Sequence, residues 1–225
     1  LDTTPSFDAL LMNDIDASGT SAWNAGAGFN PIGSSTVSNH YSGSFDGQGH
    51  VINNMTVNRP GESYIGLLFS YTSNTASISR TSINGTLTAN NFSGGLLGIN
   101  LGTIDQSYAT GEVTAGDYAG GLAGINNGTI RQSYSTAKVT GDSFVGGLVG
   151  SGSGSIIESY ATGAVTFTGS FGEGLVAGAG QTVTNSYWDT FTTGQATSSG
   201  GVAINGNWAA APDAYNQATY TGFDF

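Results

Sequence analysis

The sequence predicts an all-β fold of the parallel β-helix type, a solenoid in which each turn of chain stacks on the previous one. Three segments between residues 94 and 187 are nearly identical: GGLLGINLGTIDQSYATGEVT, GGLAGINNGTIRQSYSTAKVT and GGLVGSGSGSIIESYATGAVT. Equivalent residues lie 26 positions apart, and a fourth copy is one residue longer. A fixed period of this size is typical of an array in which each unit packs on its neighbours.

Each repeat lacks a helical period, because Gly, Ser, Thr or Asn recurs between short β-branched or aromatic runs. The unit divides into three such runs, GGLLGIN, TIDQSYA and GEVTAG, which predicts a three-sided coil. Each run would pair in parallel with its copy in the next turn, about 4.8 Å away. We expect about 8 or 9 coils and a rod of roughly 40 Å.

Columns of equivalent residues predict what lies inside the coil and at its corners. The apolar columns are Leu96, Leu122, Leu148 and Leu175; Ile104, Ile130, Ile156 and Val183; and Val113, Val139 and Val165. Two aromatic columns are Phe92, Tyr118, Phe144 and Phe171, and Tyr108, Tyr134, Tyr160 and Tyr187. The amides of Asn100 and Asn126 are expected to hydrogen-bond between coils. Gly98, Gly102 and Gly111 are expected to supply positive φ angles at the corners.

The chain is predicted to be one continuous domain with three regions. Residues 1–63 form irregular N-terminal coils, in which a DGQG turn at 46–49 leads into a strand with Val51, Asn53, Met55 and Val57 on one face. Residues 64–190 form the repeat coils, beginning with a degenerate copy at 64–87. Residues 191–225 form a C-terminal coil or cap region with a helix-like segment at 212–218, and the bulk of Trp188 and Asp189 suits the approach of a cap.

Composition limits the partners. Fifteen acidic residues against four basic ones give a net charge of −11, which repels phosphate backbones, so no nucleic-acid partner is expected. The sequence contains no run of 18 apolar residues, so no membrane insertion is predicted. The absence of cysteine is compatible with secretion. Because the chain begins at Leu1 without a methionine, we expect a piece excised from a longer precursor, a monomeric rod within a larger chain.

The repeats resemble the GLUG repeat, whose core is G-L-x-G, of large bacterial surface exoproteins of the filamentous-haemagglutinin and two-partner-secretion type. The match is carried by GGLVGSGSGSIIESYATGAV and its neighbours, and the flanking blocks SGSFDGQGHVINNMTV and SYWDTFTTGQATSSGG are similar too. The resemblance implies a right-handed parallel β-helix in an extended adhesin stalk, secreted or at the bacterial cell surface. Residues 64–70, which lack the double glycine, and the longer fourth repeat depart from the pattern. GLUG repeats also occur beside protease domains, so the repeat alone does not fix the activity of its parent.

Outward-facing threonines and tyrosines form the candidate ligand-binding surface. Alternation along the strand places them opposite Val113 and its copies. The residues are Thr88, Thr110, Thr114, Thr136, Thr140, Thr162, Thr166, Tyr108, Tyr134 and Tyr160. Such an array suits glycans or proteins of a host-cell or bacterial surface, by ring stacking on tyrosine, or it orders water as an ice-binding surface does. Glu112 and Lys138 interrupt it, which counts against ice. The alternative is a solvated face, since β propensity alone selects both residue types.

Catalysis is not expected. A polysaccharide lyase or hydrolase needs paired carboxylates at a cleft or a base with a metal. The groups of this kind are Asp14, Asp16 and Asp46 with His50, and the repeats add no acids at matched positions, since Glu112 is followed by Lys138 and Ala164. The DGQG turn lacks the spaced repetition of calcium-binding repeats, so no metal or cofactor is predicted.

Overall fold

The computed structural model describes residues 5–34 and 39–207 and forms a β-solenoid in which the pairs between strands are parallel. The N-terminal elements are β1 (Ala9–Leu10), β2 (Ile15–Asp16), a 3₁₀ segment (Ser18–Gly26) broken at Trp23, β3 (Ser44–Asp46) and β4 (Val51–Arg59). The next coils contain β5 (Phe69–Tyr71), β6 (Ser77–Ser79), β7 (Ser82–Ala89), β8 (Ser93–Gly94), β9 (Leu97–Asn100), β10 (Thr103–Asp105), β11 (Tyr108–Thr114), β12 (Ala119–Gly120) and β13 (Ala123–Asn126).

The later coils repeat this order. They contain β14 (Thr129–Arg131), β15 (Tyr134–Ser135), β16 (Lys138–Gly141), β17 (Val145–Gly146), β18 (Val149–Gly152), β19 (Ser155–Ile157), β20 (Tyr160–Ala161), β21 (Val165–Phe167), β22 (Gly172–Glu173), β23 (Thr182–Thr184), β24 (Tyr187–Asp189), the helical turn α1 (Thr190–Thr193) and β25 (Val202–Ile204). None of the helices in the described part of the chain is long and apolar enough to span a membrane.

The strands form four sheets that run along the rod. The first sheet has seven strands in the order β1-β3-β6-β10-β14-β19-β23. The second has ten strands. Eight follow the path β2-β4-β7-β11-β15-β20-β24-β25, and β16 pairs with the C-terminal half of β11 and with β21. The third is β8-β12-β17-β22, and the fourth is β5-β9-β13-β18. Pairing in the repeats joins residues 26 positions apart, such as Ile104 and Ile130, so the predicted β-helix and its period are confirmed.

The predictions of a three-sided coil and of 8 or 9 coils were wrong. The run TIDQSYA divides at a corner, where Gln106 has φ 47°, and its second half joins GEVT in the single strand β11. The run GGLLGIN also divides, into β8 and β9, so each repeat has four sides. The first sheet has seven strands, fewer than the 8 or 9 coils expected. Residues 17–34 explain the difference, because they contain the 3₁₀ segment and isolated bridges and add no complete turn.

The interior is built as predicted. The leucine column and the three isoleucines are fully buried, and Val113, Val139 and Val165 are buried beside them, whereas Val183 in the last coil is partly covered. The amide of Asn100 donates to Oδ1 of Asn126 at 2.8 Å, and both residues are inaccessible. Thr72 and Gln181 extend this amide column at its two ends, because the Thr72 hydroxyl and the Gln181 carboxamide bond to the two asparagines.

A buried serine column runs beside the isoleucines. We use this term for Thr81, Ser107, Ser133, Ser159 and Ser186. The Oγ of Ser133 accepts the N–H of Ser107 at 3.1 Å and donates to the carbonyl of Arg131 at 2.7 Å. The same two bonds recur at Ser107, Ser159 and Ser186. Each of the four serine hydroxyls therefore satisfies a corner carbonyl of its own coil and an N–H of the preceding coil, and the Thr81 hydroxyl donates to the carbonyl of Ser79.

The corners differ from the prediction. Positive φ angles occur at the aromatic column, for example 61° at Tyr118, and at Gln106, Gln132, Glu158 and Asn185, whereas Gly98 and Gly102 do not have them. Of the three glycines named, Gly111 has the expected left-handed backbone, with φ 100°. Gly98 is needed for space, because a Cβ there would lie 2.4 Å from the carbonyl carbon of Tyr64.

The face predicted for β4 was also wrong. Ile52, Met55 and Val57 are buried, whereas Val51 and Asn53 are half-buried on the outer side. Asn54, with φ 62°, forms a bulge, and the register with β7 shifts between Ile52 and Met55. One extra residue reverses the alternation on one side of the bulge.

The C-terminal end of the described chain is covered by polar and aromatic contacts. Trp188 is buried, and its indole N–H donates to the carbonyl of Gln195 at 3.1 Å. The buried carboxylate of Asp189 accepts the N–H groups of Phe191 at 2.9 Å and Gly206 at 2.8 Å, which fixes α1 and the strand that follows. The predicted helix-like segment at 212–218 lies outside the described residues. The division at residues 63 and 190 stays a prediction.

Candidate binding face

One row of the candidate threonines lies on the outer surface of the second sheet. Thr88, Thr114, Thr140 and Thr166 are direct partners in successive strands. Parallel strands place such partners about 4.8 Å apart, so their side chains form a straight row. Thr114 and Thr166 are exposed, and the other two are half-buried. Val113 and its copies, one position earlier, are buried, so the predicted alternation holds in this row.

The second row is less regular. Asn84 occupies the first place, and its amide donates to Oγ1 of Thr110 at 2.8 Å. Thr136 and Thr162 follow β15 and β20, where the strand is interrupted, and they bond to the previous coil through their backbone N–H groups. Thr136 is exposed, whereas Thr110 and Thr162 are half-buried. The two rows therefore lie on one face, but only the first is a continuous strand register.

Charged side chains separate the two rows in the middle coils. Glu112 and Lys138 are partners in the register, and their charged atoms lie 3.8 Å apart on the exposed surface. Thr56 and Thr86 occupy the equivalent positions in the preceding coils, so the hydroxyl surface extends toward the N-terminal end. Neither residue was among the predicted binding residues, although Thr86 lies 26 positions before Glu112 at the period of the repeats.

The three tyrosines at the edge of this face stack on each other. The rings of Tyr108 and Tyr134 are 4.6 Å apart, and those of Tyr134 and Tyr160 are 4.7 Å apart, with interplanar angles of 11° and 4°. Both faces of Tyr134 are therefore covered by tyrosine, and a sugar cannot stack on them. Burial, followed by the neighbouring Tyr160 and Tyr108, raises the pKa of Tyr134 to about 12, so its phenol keeps its proton at neutral pH. A ligand on this row would meet ring edges and hydroxyls.

The acids considered for catalysis bond to the N-terminal coils. Oδ1 of Asp14 accepts the N–H of Val51 and lies 3.0 Å from Nδ1 of His50; these contacts, the Val51 bond first, lower the pKa of Asp14. Asp16 accepts bonds from Asn54 and Ser18, which lower its pKa. Asp46 pairs with Arg80, and this hydrogen bond lowers the pKa of Asp46. All three carboxylates thus join the first coils to each other.

Two further surface features carry aromatic side chains that the sequence analysis did not assign to a site. A cavity of about 330 Å³ opens at the N-terminal end; its apolar lining includes Leu11, Ile15, Trp23, Phe29, Phe45 and Met55. Near the other end, Phe167 and Phe171 are exposed in the fourth repeat. The extra residue of that repeat was the available signal, because it changes a loop that the earlier repeats keep constant.

Comparison with known proteins gives one partial similarity. A segment of 96 residues, 42% of the chain, is 40% identical to Halomucin from Haloquadratum walsbyi (strain DSM 16790 / HBSQ001). That segment is 1% of the length of Halomucin, so the chain corresponds to a very small part of that relative. No family profile matches the chain, and no solved structure matches it.

Proposed function

We propose that this chain is a rigid, non-enzymatic β-solenoid segment of a large secreted or cell-surface protein, in which it acts as a stalk. The observation that carries the proposal is the unbroken parallel pairing of seven successive strands in the first sheet. Each coil is fixed to the next by backbone hydrogen bonds along the whole rod, so the chain gains length without flexible joints. The similarity of a segment to a minute part of Halomucin supports a place in a much longer protein.

Side-chain columns support stiffness as well as length. The serine column and the amide column add buried hydrogen bonds between coils, and two aromatic columns add stacked rings. A bend of the rod would break several of these contacts at once, because they lie on different sides of the coil. The G-L-x-G core of the first three repeats, at residues 95–98, 121–124 and 147–150, supports the assignment to GLUG-type repeats of surface adhesins, which is part of this proposal.

The absence of catalysis is also proposed. It is supported by the positions of the acids, since Asp14, Asp16 and Asp46 each accept hydrogen bonds from neighbouring strands or loops. A hydrolase would need two such groups facing one substrate bond.

Single-molecule pulling tests the stalk. A solenoid stretched between its ends resists until a coil detaches, and each coil of 26 residues releases about 90 Å of chain. We expect discrete force peaks with that spacing. The same peaks should remain in Ala164→Asp, which changes an exposed position, and vanish in Leu122→Asp, which changes a buried one. Smooth extension of the unaltered chain at low force would contradict the proposal.

A second candidate function is recognition by the threonine face, favoured by the register row Thr88, Thr114, Thr140 and Thr166. We infer that its partners would be glycans or proteins of a host-cell or bacterial surface, contacted through hydroxyl groups. Ice is the less favoured alternative because Glu112 and Lys138 lie on the same face.

A binding screen tests the threonine face. The chain is applied to immobilised glycans and to cells, and ice recrystallisation is measured in parallel. We expect the double variant Thr114→Lys, Thr140→Lys to abolish binding. The matched control is Thr103→Lys, Thr129→Lys, which places the same charges on the first sheet. Equal binding by all three proteins would show that the threonine face is not the recognition surface. If the unaltered chain bound none of the targets, the stalk would be the remaining proposed function.

A further inference from the structure

Phe171 is the last ring of an aromatic column that the structure extends to five members. Tyr64, Phe92, Tyr118, Phe144 and Phe171 stack with centroid separations of 4.9, 4.7, 4.8 and 4.8 Å. The three inner rings have an aromatic neighbour on both faces, and Tyr64 also contacts Tyr71, at 6.1 Å. Phe171 has Phe144 on one face, and 56% of its surface is exposed. The column therefore ends in an aromatic face that is open to solvent.

The loop that carries this ring is fixed in position. Its extra residue lies between Phe167 and Gly172, because Gly141 pairs with Phe167 and Val145 pairs with Gly172. Within the loop, the N–H of Thr168 donates to the carbonyl of Gly141, and the N–H of Gly169 donates to that of Asp142 at 2.8 Å. The carbonyl of Phe171 accepts the N–H of Val145 at 2.9 Å. These bonds hold the ring before any ligand arrives, which reduces the entropy cost of binding.

Within residues 5–34 and 39–207, the next turn of chain leaves the ring uncovered. The final coil contacts the chain just after β22 of the third sheet, where the N–H of Gly174 donates to the carbonyl of Thr197 at 2.9 Å. That contact lies three residues beyond Phe171. The ring of Phe167 lies over Gly172, where a Cβ would overlap it, and 38% of Phe167 remains exposed. Two aromatic side chains thus border one end of the repeat region.

The surroundings of Phe171 are rich in hydroxyl groups. Thr166, Thr168 and Ser170 are exposed, and the hydroxyl of Thr168 donates to Oδ1 of Asp142 at 2.8 Å. An apolar ring face next to hydroxyl and carboxylate groups matches a sugar ring, which has one face of C–H bonds and hydroxyls at its rim. Sites for small polar ligands commonly combine an aromatic surface with a few placed polar groups. The net charge of −11 disfavours sialylated or sulfated sugars.

We propose that Phe171 is the stacking platform of a shallow subsite for a neutral pyranose unit of a glycan. Thr168, Ser170 and Asp142 supply the hydrogen-bonding rim, and Phe167 borders it. This site shares Thr166 with the end of the threonine face but does not use the tyrosine rings, which cover each other. It does not depend on the stalk proposal, because pulling experiments and sugar titrations report on different properties.

The test is a titration of the isotope-labelled chain with cellohexaose, a neutral β-linked glucan, monitored by nuclear magnetic resonance. A second titration uses sialyllactose as the acidic probe. A single stacked ring gives weak binding, with Kd of about 1 mM. We expect shifts at residues 142 and 166–172, a loss of affinity of at least about tenfold in Phe171→Ala, and retained binding in Phe171→Trp. Sialyllactose should leave the spectrum unchanged.

Phe191→Ala is the matched control, because Phe191 is an exposed phenylalanine (62%) on α1, outside the ring column. Its affinity for cellohexaose should equal that of the unaltered chain. Three results would overturn the proposal: no shifts with cellohexaose at concentrations well above 1 mM, equal affinity in Phe171→Ala, or an equal loss in Phe191→Ala. Thermal unfolding of each variant establishes that it is folded before titration.

Discussion

A single hydroxyl connects two coils at each of the four serines of the serine column. Ser133 accepts the N–H of Ser107 and donates to the carbonyl of Arg131, and it is inaccessible to water. Alanine fits the same space but provides neither bond. The buried N–H of Ser107 would then be left without a partner, whereas the carbonyl of Arg131 would keep the N–H of Gln106. An unpaired buried N–H costs more than a hydrogen bond contributes when both partners are present.

Ser133→Ala should therefore lower the free energy of unfolding by about 1 to 3 kcal/mol. Urea denaturation followed by circular dichroism measures this change. Ser170→Ala is the control, because Ser170 is exposed, and its effect should stay within about 0.5 kcal/mol. If the two variants lost equal stability, the hydroxyls of the column would not be what connects the coils.

Tyr134 gives a prediction at high pH. Its pKa is about 12 in the folded chain, against an ordinary value of 10.0, because its ring is buried between Tyr108 and Tyr160. The unfolded tyrosine loses its proton first as pH rises. The contribution of Tyr134 to stability is thus complete below pH 10 and declines between about 10 and 12. Tyr134→Phe should unfold over a higher pH range, and its phenolate absorbance should lack the component that titrates last. Identical titrations would contradict the assigned pKa.

The leucine column shows how an element of this fold responds to change. Leu122 lies between Leu96 and Leu148 and is fully buried, so its replacement alters the contacts of three coils. Repeat arrays derive their stability from interfaces between neighbours. A defect in the middle therefore weakens the interfaces on both of its sides and lowers the stability of the whole rod.

Leu122→Asp should unfold the rod cooperatively, because it places a carboxylate without a partner in an apolar column. Leu122→Ala should cost about 2 to 5 kcal/mol. Ala164→Asp adds the same carboxylate at an exposed position and should melt near the unaltered chain. Scanning calorimetry of the three variants makes the comparison. A normal melting temperature for Leu122→Asp would refute the inward position of Leu122.

The sequence predicted the columns of the repeats but missed their corners and the elements that do not repeat. The columns of Leu96, Ile104 and Val113 could be predicted because 26-residue spacing forces equivalent residues into register. The bulge at Asn54 was missed, since a single residue with positive φ reverses the face of β4 without changing the local apolar pattern. The open face of Phe171 was missed because its exposure depends on the path of the next coil.

For the whole molecule, most of the negative charge is uncompensated. The four basic residues of the sequence all form ion pairs in the described part of the chain: Arg59 with Glu62, Arg80 with Asp46, Arg131 with Asp105 and Lys138 with Glu112. The net charge of −11 remains. Exposed ion pairs contribute little, so repulsion among the remaining carboxylates is the larger electrostatic effect.

Salt should therefore stabilise the rod. Between about 0.05 M and 1 M NaCl the screening length falls to about 3 Å, which weakens repulsion between separate carboxylates. We expect Tm to rise by a few degrees, since about 1 kcal/mol corresponds to about 2 to 4 °C in a chain of this size. Thermal scans in NaCl and KCl should agree, because screening depends on charge and not on the ion. A Tm that falls with salt would show that the four ion pairs outweigh the repulsion.

The aromatic column has an optical consequence. Five rings held nearly parallel at less than 5 Å from one neighbour to the next are coupled chromophores in a chiral arrangement. Near-ultraviolet circular dichroism, which depends on fixed aromatic packing, should therefore be strong for so short a chain. Because the rings lie in consecutive coils, the intensity of that signal reports how many adjacent coils remain stacked. The near-ultraviolet circular dichroism of the rod therefore measures the number of intact turns without an added label.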